Sequence, residues 1–183
     1  MEQSPRITIY HANQCDPHRC TGLKLKRHGL ARIVNSIRFL PRRAIVLNPF
    51  SEIAFSPADR QRIQDFGLAA LDCSWEHAQK VLSTHVKGTS RCLPILIAGN
   101  PTNYAKATKL STVEAIAGAL YIAGYKDGAK KLLSIFTWGH TFMELNADLL
   151  EAYSKAKDSS DIVMMQATIG RKNPYEKNQN VFG

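Results

Sequence analysis

A chain of 183 residues, 44% hydrophobic and 21% charged, has the composition of an ordinary globular protein, with room for one large domain or two small ones around a shared core. Its formal net charge of +9 and pI near 9.5 favour a polyanionic partner, nucleic acid before an anionic membrane. MEQSPRITIY is no secretory start, and Ala115 to Tyr125 is too short to span a bilayer, so a cytosolic or nuclear location is expected, cytoplasmic by preference, with no membrane partner.

Ile7 to His11 alternates like a first strand, followed by the polar loop Asn13 to Gly22. Leu23, Leu30, Ile33, Val34 and Ile37 then fall at helical spacing. From Arg19 to Arg43 run eight cations (Arg19, Lys24, Lys26, Arg27, Arg32, Arg38, Arg42 and Arg43) with no acid among them. Ala44 to Leu47 reads as a second strand, stopped by Asn48-Pro49. Ser56-Pro57-Ala58-Asp59 opens a helix with a cap residue, a first-turn proline and an acid, and Gly67 closes it. Leu68 to Leu71 predicts a third strand ending at Asp72. Ser74 then caps a helix carrying Ala78, Val81 and Leu82.

Leu93 to Ala98 is apolar throughout and predicts a fourth strand, covered on both faces. Ser111-x-x-Glu114 is a capping box ahead of Val113, Ile116, Ala117, Leu120 and Gly124. Helical patterns follow at Gly128–Phe136 and from Met143 to about Lys155. The tail from Gly170 is polar and expected to be poorly ordered. Strands alternating with helices predict an α/β fold with a mainly parallel sheet. The composition change near Leu93 divides the chain into an α/β N-terminal half, 1–92, and a mainly helical half, 93–183.

The four cysteines, Cys15, Cys20, Cys73 and Cys92, lack zinc-site spacing, so no metal is expected. Reduced thiols are the preferred reading, with a Cys15–Cys20 disulfide as the alternative. Each predicted strand ends in a loop of unusual content: Asp16–Thr21, Asn48-Pro49, Asp72–Trp75 and Asn100–Leu110. At the carboxyl edge of a parallel sheet, four such loops build one crevice. The chain has no glycine-rich phosphate cradle, so the ligand is expected to lack a phosphate. S-adenosylmethionine fits, with an adenine, a ribose, a sulfonium and an amino-acid end. Ser111 and Thr112 open a helix whose free N–H groups suit the carboxylate. On its own, Asp72 reads as a helix-capping carboxylate and Trp75 as core.

Asp16 to Gly22 (DPHRCTG), Ser56 to Arg60 (SPADR), Leu71 to Trp75 (LDCSW), Leu93 to Tyr104 (LPILIAGNPTNY), Lys109 to Ile122 (KLSTVEAIAGALYI) and Ile135 to Gly139 with Phe142, Leu145 and Asn146 occur in the order of a known family. Together these blocks resemble the ribosomal small-subunit rRNA aminocarboxypropyltransferases, over roughly Ile7 to Tyr153. The chain departs from them at Gly99, Thr102 and Ala105, where the resemblance would put Ala, Val and Gly.

The resemblance implies a SPOUT-like fold whose C-terminal half is knotted as a trefoil around S-adenosylmethionine, with Trp138-Gly139 packing the knot. Adenine is then expected among Leu47, Pro49, Leu93, Tyr104, Leu110 and Ala115, and the ribose near the Leu71 carbonyl. Thr21, Ser111 and Thr112 would hold the carboxylate. Asp72 becomes a candidate base and Trp75 a neighbour of the sulfonium. Arg19, Lys24, Lys26, Arg27, Arg32, Arg60 and Lys131 are the expected RNA contacts. The implied reaction moves the 3-amino-3-carboxypropyl group to N3 of a 1-methylpseudouridine in small-subunit rRNA or a pre-ribosomal particle, releasing methylthioadenosine, and a monomer is expected. The rivals are an RNA methyltransferase of similar fold and a non-catalytic basic assembly factor.

Overall fold

Five short parallel strands form one sheet in the order β2-β1-β4-β3-β5: β1 (Ile7–His11), β2 (Arg32–Val34), β3 (Ile45–Leu47), β4 (Leu68–Asp72) and β5 (Thr89–Arg91). The computed structural model describes residues 4–14, 16–73, 75–83 and 88–172, and only the helical backbone at 75–77, 83 and 169–172. Eight helices complete this part of the chain: α1 (Thr21–Arg27), α2 (Arg60–Phe66), α3 (Trp75–Ser83), α4 (Thr112–Ile122), α5 (Lys126–Ser134), α6 (Gly139–Leu145), α7 (Ala147–Ser154) and α8 (Ser159–Lys172). Among the described residues no helix is long and apolar enough to cross a membrane.

The expected parallel sheet is present, and its side-chain alternation sorts the core. Ile7, Ile9, Ile45, Leu68 and Ala70 join one large cluster with Leu25, Leu96, Ile116, Leu120, Phe142, Tyr153 and Ile162. Tyr10, Val46 and Ala69 face the other way, against Leu40 and Val81. β1 and β4 are adjacent and in register, from Ile7 beside Leu68 to His11 beside Asp72. The chain leaves β1 for β2 on one side and leaves β4 for β5 on the other. The crevice between their carboxyl ends is therefore the switch point of the sheet, where ligands bind in open α/β folds.

Two sequence expectations are corrected. The helix-spaced residues from Leu23 to Ile37 do not form one helix. α1 stops at Arg27, Gly29 turns the chain at φ +68°, and Arg32–Val34 becomes β2, paired with Thr8–Tyr10. The apolar spacing there was a coincidence across a turn, and the β-branched pair Ile33-Val34 was the better signal.

Leu93–Ala98 is not a strand of the sheet either, whose last member lies earlier, at Thr89–Arg91. Pro94 cannot donate to a ladder, and the segment's polar groups go elsewhere. Ile95 N–H donates to Gln166 Oε1 (2.9 Å) and Ile97 N–H to Asn146 Oδ1 (2.7 Å). The Asn146 amide returns a bond to the Ile97 carbonyl (2.8 Å), and the Tyr153 hydroxyl donates to the Ile95 carbonyl (3.3 Å). The other edge pairs with the returning chain, Thr108 N–H to Leu96 O and Ala98 N–H to Lys106 O. Side chains of α7, α8 and the turn between α6 and α7 thus replace a neighbouring strand.

Candidate functional site

A cavity of about 570 Å³ opens at the carboxyl edge of the sheet, within the size range of small-ligand sites, roughly 300–1,000 Å³. Thr21, Leu47, Pro49, Leu71, Asp72, Leu93, Leu110, Ser111, Thr112 and Ala115, all expected at a ligand, line it together. Tyr104 does not; it is 58% exposed on the neighbouring loop. The Trp75 side chain, the Ser74 cap, Cys15 and the chain beyond Lys172 lie outside the described residues. Its apolar lining comes from Leu47, Leu71, Leu93, Leu110 and Ala115, and its polar wall from Asp72 and the first residues of α1 and α4.

Asp72 ties that polar wall together. Thr112 Oγ1 donates to its Oδ1 (3.1 Å) and the Cys20 thiol to its Oδ2 (2.9 Å), with His11 Nε2 3.6 Å from the same oxygen. Cys20 also caps α1, its sulfur accepting from Leu23 N–H (3.3 Å). Thr21 Oγ1 accepts from Val113 N–H (3.3 Å), so the starts of α1 and α4 meet beside the carboxylate. His11, itself buried, is held by Asn13 at Nδ1 (2.9 Å to Oδ1 and 3.2 Å to N). His11, Cys20 and Asp72 bring three metal-ligand atoms within 4.8 Å of one another. Hydrogen bonding accounts for that grouping, because the thiol donates to one partner while capping α1. Sequence reasoning missed His11 and the Cys20 contact; position 11, opposite Asp72 at the end of the first strand, was the available signal.

Glu114 is a second missed residue. The capping box exists as expected: Ser111 caps α4, and Glu114 Oε2 accepts from Ser111 N–H (2.7 Å). Yet Glu114 is fully buried, and its other bonds reach outward. Oε1 accepts from Gly99 N–H (2.7 Å) and Asn100 N–H (2.9 Å), and Oε2 from Asn100 Nδ2 (2.7 Å) and Ser111 Oγ (2.7 Å). A cap residue thereby fastens the Asn100–Leu110 loop to the helix that borders the cavity. Asn100 Oδ1 in turn accepts from Asn103 N–H (3.0 Å), closing the Asn-Pro turn. Ala105 (φ 62°) and Thr108 (φ 61°) hold left-handed backbone in this loop.

The thiols here are inert. Cys20 is buried with its thiol donating to Asp72, and the Cys15–Cys20 disulfide involves Cys15, which lies outside the described residues. Burial pushes Cys73 up to about 11, with the Asp72 charge adding to it, and burial raises Cys92 as well. Neither offers a thiolate at neutral pH.

The expected RNA residues divide. Arg19 lines this cavity. Lys24 lies over the Phe136 ring (4.7 Å), and Lys26 and Arg27 are exposed at the end of α1. Arg32 and Lys131 stand together at the opposite edge of the sheet. Arg60 is structural: its guanidinium donates to the Ala123 carbonyl and stacks on Tyr125 at 4.3 Å.

These features, a ligand-sized cavity at the switch point of a parallel α/β sheet with two helix starts and a carboxylate on its wall, define a small-ligand enzyme site. Residues 45–170 match the family model described as ribosome biogenesis protein, C-terminal. The 16S rRNA aminocarboxypropyltransferase of Methanothermobacter thermautotrophicus is 51% identical over 88% of this chain and 96% of its own. The enzyme of that name from Methanocaldococcus jannaschii is 44% identical over 92% and 98%. The solved SAM-dependent rRNA:acp-transferase Tsr3 from Vulcanisaeta distributa superposes with a TM-score of 0.80 at 38% identity, covering 91% of this chain and 98% of that one. The chain belongs to the 16S rRNA aminocarboxypropyltransferase family. Residues 5–38 also match a model described as a possible Fer4-like domain in RNase L inhibitor. They contain only Cys15 and Cys20, half the thiolates an iron–sulfur cluster requires, so the residues present do not fit that group.

Proposed function

We propose that this protein transfers the 3-amino-3-carboxypropyl group of S-adenosylmethionine to N3 of a 1-methylpseudouridine in small-subunit rRNA. The observation that carries the reading is the cavity's mixed lining: apolar side chains suited to adenine share it with Asp72 and the start of α4, which Thr112 ties to that carboxylate. Its volume and donor set fit the donor molecule. Bound there, S-adenosylmethionine supplies a sulfonium-activated carbon and leaves as methylthioadenosine. Leu47, Pro49, Leu93, Leu110 and Ala115 form the adenine slot, and the Leu71 carbonyl meets the ribose. Thr21, Ser111 and Thr112, at the positive end of α4, hold the carboxylate.

Asp72 takes the proton that N3 of the uridine gives up as its new bond to carbon forms. Thr112 and Cys20 hold the carboxylate in place. Trp75, in the first turn of α3, shields the methyl group, so that orientation decides which carbon reacts. Tyr104 closes over the slot from its loop. The fold is SPOUT-like with a C-terminal trefoil knot, as the resemblance to the family implies. Residues 1–92 with their basic band bind RNA and residues 93–183 form the cofactor half. The protein acts as a cytoplasmic monomer on rRNA or a pre-ribosomal particle.

The test is product identification. Incubation with a small-subunit RNA fragment and S-adenosylmethionine labelled in the carboxyl or the methyl carbon should put only carboxyl label into RNA, with methyl label leaving in methylthioadenosine. Methyl label in RNA would make the protein a methyltransferase, and no label from either would make it an assembly factor.

A further inference from the structure

A second cavity, of about 690 Å³, lies at the amino edge of the sheet, across the strands from the first. Arg6 precedes β1, Arg32 opens β2, and Arg42-Arg43 precede β3; Lys131 reaches the same space from α5. Among the described residues no Asp or Glu lines it. Arg43 lies over the Phe66 ring at 4.0 Å, giving the cavity a flat apolar and cationic face. Arg32, Arg42, Arg43 and Lys131 are exposed. Small-molecule chemistry in parallel sheets gathers at the carboxyl edge, so this cluster of cations at the other edge calls for a different explanation. Each uncompensated cation raises the potential of its neighbours, and a concave, low-dielectric wall concentrates that field.

We infer that the amino-edge cavity is a second RNA site, which grips the phosphate backbone of rRNA away from the reacting nucleotide. This rests on the proposed function, since it takes the same RNA as partner. β1, with five residues, sets the two edges roughly 16 Å apart. A few nucleotides of an extended single strand of RNA cover that distance. One RNA segment can therefore place a uridine at the first cavity and its flank at the second. Phe66 and the Arg43 guanidinium offer a stacking face for an unpaired base in that flank.

The test measures RNA affinity against salt. In the full chain, Arg32→Ala, Arg42→Ala and Lys131→Ala together should lower the slope of log K against log salt by about two to three units, and weaken binding at least tenfold near physiological salt. The control removes three exposed cations elsewhere: Lys80→Ala, Lys130→Ala and Lys157→Ala. S-adenosylmethionine binding, unchanged in both, certifies folding; should the triple variant lose it, Arg42→Ala and Lys131→Ala are measured singly, and each should lower the slope by nearly one unit. A slope within half a unit of the unsubstituted protein's, or an equal fall in the control, overturns the site. If carboxyl label enters RNA but the slope does not change, this inference fails and the proposed reaction stands. If the slope falls but no label enters, the reverse holds.

Discussion

Asp72 and Cys73 are neighbours on the wall of one cavity, and their chemistry diverges. Burial keeps the Cys73 thiol protonated up to about pH 11, so iodoacetamide should label it slowly at pH 8 and faster as the pH approaches 11; rapid labelling at pH 7 would refute this. Asp72 is held by a hydroxyl and a thiol yet still lines the cavity, the arrangement a positioned base requires. Asp72→Asn should cut turnover by about 10²–10⁴-fold with little change in S-adenosylmethionine affinity, measured at saturating substrates. Near-normal turnover would reduce Asp72 to a tether between β4 and α4. Trp75→Ala should instead weaken donor binding, read by calorimetry.

The loop from Gly99 to Leu110 shows how a single element can be both legible and illegible. Its helix end was visible, because Ser111-x-x-Glu114 fits the local geometry of any helix start. Glu114's grip on Gly99 and Asn100 was not, since it depends on where the loop returns. Glu114→Gln puts an amide among the five donors that now converge on the carboxylate, and should cost about 3 kcal/mol in urea unfolding. Two of the three departures from the family pattern, Gly99 and Ala105, also acquire meanings. Gly99 has no room for the expected alanine: a Cβ there would lie 2.5 Å from the Phe142 nitrogen, and Gly99→Ala should destabilise by about 2 kcal/mol. Ala105 sits at φ 62° where glycine was expected, so Ala105→Gly should stabilise by about 1 kcal/mol in the same assay. The strands divide similarly. β1, β3 and β4 were legible from apolar runs bounded by turns. β2 (Arg32–Val34) sits inside a helix-like spacing and β5 (Thr89–Arg91) is polar, so neither shows an apolar run, and Leu93–Ala98 mimicked a strand because it is apolar throughout yet pairs with no strand of the sheet.

Across the whole molecule, Glu151 joins α4, α5 and α7. It accepts from Lys126 Nζ (2.7 Å) and Tyr121 OH (3.2 Å), with Lys155 Nζ 3.3 Å away. The Lys126 hydrogen bond, then those of Lys155 and Tyr121, draw its carboxyl down from 4.5 to about 2. A folded pKa below the unfolded one means stability present above pH 4.5 and lost as pH falls from there towards 2. Melting temperatures should show Glu151→Gln less stable than the parent at pH 7, with the gap closing by pH 2; because the group is half-exposed, salt should narrow it too. A gap that persists at pH 2 would show that packing, not charge, ties these helices. The clamps on Ile95 and Ile97 carry a consequence in time. Their partners lie 71, 58 and 49 residues downstream, at Gln166, Tyr153 and Asn146. A ribosome adding about 5–20 residues per second decodes the last of them several seconds after the wall they secure. An unfinished chain therefore carries the cavity's lining before the clamps on the segment that follows Leu93 and Pro94, and the last of these arrives only with α8.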